Sequence, residues 1–546
     1  MGVSLYDAQY DATTSQKRPI PQHVIDEVIT ALKRFKSTCA DFAVPESNHK
    51  ILATEATRSA INATDFLRQI ETALNDKNRG KTWRVEILTK EDEGRIGGLG
   101  VVSSVGCTGV EGLVMDLGGG STQITWLIAR DGEVQMYEDG SISFPYGAAA
   151  MTRLLEEVDK PSKQQDMRST RSELREKIVQ QFRRALIDLN LPTTLRKNAE
   201  HPGLTLYLSG GGFRGWGYLL LSSHKIKPYP IPIINGFSAS VKEFKNTSLI
   251  TSLASVGLED NNNAFRISKR RAAQVPAVSF LIDCLVQAIP SISNVRVCQG
   301  GVREGALFEL LPKQIRAQDP LEAGSTIFAV EARSAGTFAA LLTSALPPDC
   351  SNCDRSIPDV FKQRSLLRTF ANLLWLQQGQ SKENAAVNAL QTTITGELAS
   401  VHGAGHSERA LLALMLCQRW GGGDALPPPY RDTKARLELL LGIRETWWAR
   451  YVGAMGKLLG EVYPAGRVRQ GRERIALKAK WSPGLGKKGN MQGVKIKIFV
   501  KDTMMDVQTL VDCREELEAI GKKKNRVGGK EYGFGVPLKV DIEMDV

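Results

Sequence analysis

No apolar run in this 546-residue chain reaches the roughly 18 residues that a bilayer crossing needs. The opening stretch, MGVSLYDAQYDATTSQ, has no basic start followed by an apolar core, and Tyr6 stands where a myristoylation signal needs Ser or Thr. These absences lead us to expect a protein that neither spans a membrane nor is obviously anchored to one. Eight cysteines are spread over the whole chain, so reduced thiols in a cytoplasmic protein are expected. The single C-x-x-C, Cys350 and Cys353 in DCSNCD, lacks the second pair that a structural zinc site requires. His402 and His406 have no His-Asp doublet nearby, so capping or packing roles are expected of them. No repeat of 20 to 50 residues is evident, which argues against a solenoid.

What is present is ordinary for a folded globular protein: 42% apolar and 24% charged residues. The length exceeds what one hydrophobic core usually serves, so several domains are expected. The formal net charge of +12 favours polyanionic partners such as nucleotides or polyphosphate. Residues 467–546 hold 18 Lys and Arg against 11 Asp and Glu. Without interleaved aromatics that basic tail does not make a stacking platform, so nucleic acid is not an expected partner.

Strands and helices alternate up to residue 110, predicting a layered α/β arrangement. A short opening strand precedes an amphipathic helix over 22–38, with Val24, Val28, Ala31, Leu32 and Phe35 on one face. A strand at 51–54, a helix starting near 62–65, the alternating WRVEILT and the glycine-loosened helix EDEGRIGGLGVVSSV follow. A second series opens with the hairpin candidate GLVMDLGGGSTQITWLI, and LTLYLSGGGFRGWGYLLL and VRVCQGGVREGALFELL each read as strand, glycine turn and helix. From about 320 to 460 the pattern is helical, with Trp447 and Trp448 on an amphipathic helix and expected in its core. The last segment reads as a ββαβ domain.

The glycine turn suggests the chemistry. Glycines between strands let backbone N–H groups point at one spot without an intervening Cβ, and such a nest binds phosphate oxygens. Ser121 and Thr122 add hydroxyls, and Asp116 is placed to hold a hydrated Mg2+. Glu91, Asp92 and Glu93 form a second acidic element, one member of which could take a proton from an attacking water.

ILATEATRSAIN, KEDEGR, DLGGGSTQ, SFPYGAAAMT, SGGGFRG and GGVREGALFELL resemble, in order and approximate spacing, the exopolyphosphatase and guanosine pentaphosphate phosphohydrolase (Ppx/GppA) family over residues 1–315. The resemblance implies an α/β, actin-like (ribonuclease H type) two-lobed ATPase fold. It makes Glu93 the catalytic carboxylate, Asp116 the metal-associated one, and Gly118, Gly119, Gly120, Ser121, Thr122 and Gln123 the second phosphate loop. Gly210, Gly211 and Gly212 match a glycine turn near the bound nucleotide or phosphate chain, and Arg58 and Arg303 match family arginines. Mg2+ is the implied metal, with ATP, guanosine polyphosphate or polyphosphate as ligand.

The chain departs from the pattern in two places. The family's opening hairpin, with its Asp-x-Gly-Ser loop, has no counterpart, and Met1 falls where the third strand should begin, so an incomplete first lobe is expected. Gln123 stands where the bacterial phosphatases usually have Glu, and a neutral amide cannot act as a base at neutral pH. That Gln, the WWARYVGA helix and the tail are more particularly similar to the branch of fungal retrograde-response regulators, which signal mitochondrial state to the nucleus. The expected domains are 1–110 and 111–318 for the two lobes, 319–465 for a helical region and 466–546 for the appended α/β piece. The leading expectation is a regulator that binds nucleotide or polyphosphate and engages protein partners. The alternative is a working Mg2+-dependent phosphohydrolase with Glu93 as base.

Overall fold

Val110–Leu117 and Thr122–Arg130 are β-branched and apolar on both sides of the glycine turn, and they pair antiparallel as the hairpin pattern requires. The computed structural model describes residues 4–11, 16–75, 83–160, 167–259, 267–349, 356–502 and 506–544. They fall into two units: residues 1–223 with 234–317, and residues 224–233 with 318–546. Cys350 and Cys353 lie outside the described residues.

Unit 1 begins with helix α1 (Leu5–Ala8), not with a strand. The Ser4 hydroxyl accepts the Asp7 N–H at 3.2 Å, a helix cap, while Tyr10 makes only an isolated bridge to Lys17. Helix α2 (Gln22–Asp41) buries Val24, Ile25, Val28 and Cys39, whereas Phe35 is 49% exposed. The covered stripe therefore bends away from the expected face after Leu32. Next come β1 (Ile51–Ala53), α3 (Glu55–Arg58), α4 (Ala63–Leu74), β2 (Val85–Ile87) and α5 (Lys90–Val105). β1 and β2 pair in parallel, Ile51 with Val85 and Ala53 with Ile87.

The larger sheet comprises β3 (Val110–Leu117), β4 (Thr122–Arg130), β5 (Glu133–Met136) and β6 (Ile142–Phe144), then, after α6 (Ala148–Val158), α7 (Met167–Asp188) and α8 (Thr193–Glu200), β7 (Leu204–Ser209). It is completed by α9 (Gly210–Ser223), β8 (Ser238–Ser240), α10 (Val241–Phe244), α11 (Thr247–Glu259), α12 (Lys269–Ala288), β9 (Ile292–Val297) and α13 (Val302–Glu309). The order is β5-β4-β3-β7-β9-β8, with β6 on β4. β3, β7 and β9 run parallel, so the turns after Leu117, Ser209 and Val297 emerge at one end of the sheet. Ligands of open α/β sheets bind outside such carboxyl ends. Leu113, Met115, Leu117, Leu206 and Leu208 are wholly buried, each contributing roughly 1.5–3 kcal/mol.

Unit 2 holds helices α14 (Pro320–Ser325), α15 (Ala332–Ser344), α16 (Arg364–Leu373), α17 (Lys382–Gln391), α18 (His406–Arg419), α19 (Pro428–Leu441) and α20 (Ile443–Val462). They are followed by β10 (Ile475–Leu485), β11 (Met491–Val500), α21 (Val507–Ile520) and β12 (Leu538–Met544), the ββαβ order expected of the tail. β10 and β11 are antiparallel, and α21 crosses over to make β12 parallel to β11. The expected boundary near residue 465 does not divide this unit. One apolar core joins Trp447, Trp448 and Tyr451 of α20 to Ile475, Val494, Ile496, Leu510 and Val540, because the three-stranded sheet buries its apolar face on the helices. The Trp447 indole also donates to the Ile520 carbonyl at 3.3 Å.

Candidate phosphate-binding cleft

The four residues 118–121 turn β3 into β4, with Asp116 paired opposite Gln123 and Leu117 opposite Thr122. Gly118 N–H closes the turn on the Ser121 carbonyl at 3.0 Å. The first N–H groups of a helix have no partner within it. Here Gly147, Ala148 and Ala149 give theirs to the carbonyls of Gly120, Gly118 and Gly119, at 3.2, 2.9 and 2.9 Å. A Cβ on Gly147 would lie 2.4 Å from the Gly119 carbonyl carbon, so only glycine lets α6 dock on the turn. With the carbonyls taken up, the N–H groups of Gly119 and Gly120 have no acceptor among the described residues. Both glycines line a cleft of about 260 Å3. Such N–H groups suit an anion. The Gln123 amide donates to the Ser121 hydroxyl at 2.8 Å, which leaves the hydroxyl proton to be given elsewhere.

Gly118, Gly119, Gly120, Ser121, Gly211 and Gly212 of the expected set line this cleft. Thr122 does not: its buried hydroxyl turns back to the Asp116 carbonyl at 2.7 Å. Gly210 works from behind. Its φ of +87° starts α9 directly from β7, and a Cβ there would lie 2.6 Å from an Asp116 carboxylate oxygen.

A side chamber of about 50 Å3, room for one or two waters, adjoins the cleft at Glu93 and is lined also by Asp116, Gln123, Thr125 and Ser141. Burial pushes the Asp116 carboxyl above its usual range, against the opposing Ser209 hydroxyl and Arg214 charge. Glu93 sits in the first turn of α5, whose cap is Thr89. Burial raises its pKa too; Arg58 opposes this, and the Asp116 charge adds to it. Arg58 binds the Glu93 carboxylate at 3.0 Å and also donates to the Leu88 carbonyl. Arg58, expected at the phosphate, is thus committed to the carboxylate and lines neither space. Arg303 extends outward, 86% exposed, beside Glu304.

Sequence reading missed the cationic side of the cleft. Arg270, Arg271 and Gln274, from the first turns of α12, line it. Burial and the charges of Arg214 and Arg270 lower the Arg271 pKa, so like charges are held together where an anion would relieve them. The available signal was SKRRAAQ, a Ser cap followed by a basic first turn. Tyr6 and Glu55, also unforeseen, line the cleft as well.

His406, at the start of α18, follows the packing expectation: it is buried with its ring 2.7 Å from the Tyr229 hydroxyl. Among the described residues no group of three or more His, Cys, Asp or Glu could hold a metal, and no helix is long and apolar enough to cross a membrane.

Residues 1–314 match the model of the Ppx/GppA phosphatase family. The chain belongs to this family. Residues 319–545 match the RTG2 C-terminal domain. Retrograde regulation protein 2 of Saccharomyces cerevisiae is 36% identical over 481 residues, covering 86% of this chain and 76% of that protein. Among solved structures, the Ppx/GppA family member of Aquifex aeolicus is 23% identical with a TM-score of 0.38, covering 53% of this chain and 82% of its own. An exopolyphosphatase from Cytophaga hutchinsonii is 19% identical with a TM-score of 0.37, covering 54% and 85%. Membership of the Ppx/GppA family brings with it the actin-like α/β fold expected of unit 1, and the second model spans the helical region together with the small sheet.

Proposed function

We propose that this chain is a regulatory member of the Ppx/GppA family, which binds a nucleotide or polyphosphate in the unit 1 cleft and signals through protein partners in a retrograde response. The observation that carries the reading is the pairing of unspent N–H groups on Gly119 and Gly120 with the crowded arginines of α12 in one cleft. Similarity to a retrograde regulation protein over most of the chain supports the regulatory half. Mg2+ fits the donor set. It commonly takes one or two carboxylates and completes its shell with phosphate oxygens and water, and Asp116 beside Ser209 offers one carboxylate at the turn. The ion would screen the ligand's charge from the acidic wall.

A second reading, phosphohydrolysis, is favoured by one observation: Glu93, Asp116 and Gln123 share a chamber that can hold a water. Arg58 favours the carboxylate form of Glu93, the form a general base needs, against the larger opposing effect of burial. Calorimetry with ATP, guanosine pentaphosphate and polyphosphate, run beside phosphate-release assays with Mg2+, separates the two. The regulator binds without appreciable release, and Gly119→Val abolishes binding. Release that vanishes with Glu93→Gln establishes the enzyme. Absence of binding to all three ligands overturns both.

A further inference from the structure

The phosphate turn already has occupants. A Cβ built on Gly120 would lie 2.4 Å from a Glu55 carboxylate oxygen and 2.7 and 2.8 Å from two carbons of the Tyr6 ring. The Tyr6 Cβ is 3.8 Å from the same point on Gly119. The Glu55 carboxylate and the Tyr6 ring therefore pack directly on the Gly120 face of the turn, so that face is covered and the free space of the cleft lies beside it. Glu55 also sets a negative charge against that position, which disfavours a second anion beside it.

Both residues sit on a small, tied structure. The buried Gln9 side chain donates to the Ala56 carbonyl at 2.7 Å and to the Leu5 carbonyl at 2.9 Å, joining α1 to α3. Asp7 approaches Arg153 at 3.5 Å and Arg270 at 3.9 Å. The Arg153 guanidinium lies over the Tyr10 ring at 3.9 Å and the Tyr6 ring at 5.5 Å. Arg270 lines the cleft, so the Asp7 carboxylate holds a cation that a phosphate would also seek.

We propose that Tyr6 and Glu55 gate the phosphate turn, and that Asp7 and the incoming ligand exchange places on Arg270. The inference rests on the reading that the cleft takes a phosphate ligand. A ligand seated on the Gly120 face then displaces α1 from the turn, which makes the Leu5–Ala8 segment the part of unit 1 that reports occupancy. These ion pairs are long and partly exposed and hence weak, so a polyanion that gains several charge-assisted hydrogen bonds can displace them.

The test is calorimetric titration of the full chain with inorganic tripolyphosphate and Mg2+, with amide exchange followed by mass spectrometry. The Tyr6→Ala/Glu55→Gln variant is expected to bind at least about tenfold more tightly than the wild type, and ligand is expected to speed exchange over residues 5–10 of the wild type. Asp7→Asn, which leaves the ring and the turn intact, is expected to bind several-fold more tightly. It keeps the question open to test should the double variant fail to fold. Equal or weaker binding by these variants, with wild-type exchange slowed or unchanged by ligand, overturns the gate and leaves the phosphate reading standing. Failure of every form to bind, the opened variant included, overturns the phosphate reading itself.

Discussion

Asp116 lies where β3 ends, and burial makes its charged form costly. Its folded pKa lies above its ordinary value of 3.8, so the folded state holds the proton more strongly than the unfolded one. Stability therefore falls as pH rises through the interval between the two values, and the penalty is complete above it. Asp116→Asn should raise stability at neutral pH by roughly 0.5–2 kcal/mol, the usual gain from relieving a functional site, while weakening Mg2+-dependent ligand binding. Urea unfolding across pH checks the sign: the advantage of the variant must shrink as the pH is lowered towards 3.8. The residue scale is also where legibility was uneven. Gly118, Gly119, Gly120 and Ser121 could be read from the local pattern, since a turn's N–H groups depend on the residues that form it. The partners of Arg58 could not, because they come from residue 88 and from Glu93 on another helix.

At the scale of elements, the side chamber depends on how closely α5 and α13 approach. A Cβ on Gly305 would lie 1.8 Å from the Ile96 carbonyl oxygen, and one on Gly100 2.1 Å from the Gly301 carbonyl oxygen. These are backbone atoms that cannot swing away, so Gly305→Ala should cost about 1–3 kcal/mol or more. Gly97 faces the chamber, and a Cβ there meets nothing within 4 Å. Gly97→Ala should then stabilise the helix by up to about 1 kcal/mol while narrowing the chamber. Thermal melting of the two variants side by side tests the contrast; equal destabilisation would refute the packing account. The sequence showed α5 as a glycine-loosened helix. What the glycines serve was not legible, since the neighbouring helix lies some 200 residues further along the chain.

At the scale of the whole chain, the core of unit 2 runs across the expected domain boundary. In unit 2 the helices and the terminal sheet share one core around Trp447 and Trp448, both wholly buried. Trp448→Ala should cost about 3–5 kcal/mol. The loss should appear together in β10–β12 and in α18–α20, because neither part can keep its apolar face covered alone. Hydrogen exchange resolved along residues 406–544 tests this: loss of protection confined to the helices would restore the expected boundary near 465. That boundary was drawn where the hydrophobic period changes from helix to strand. A change of period marks a change of element, and it does not show what the new element packs against.

The sequence by itself determined the hairpin and its glycine turn, the ββαβ tail, the family, and the acidic and glycine residues around the cleft. All of these follow from residues near one another in the chain, where periodicity, turn chemistry and motif spacing apply. The tertiary structure alone decided that Arg58 serves Glu93, that the arginines of α12 face the phosphate turn, that Tyr6 and Glu55 cover it, and that unit 2 has one core. Each of those depends on which side chains meet across distant segments, and that is set by packing rather than by local pattern.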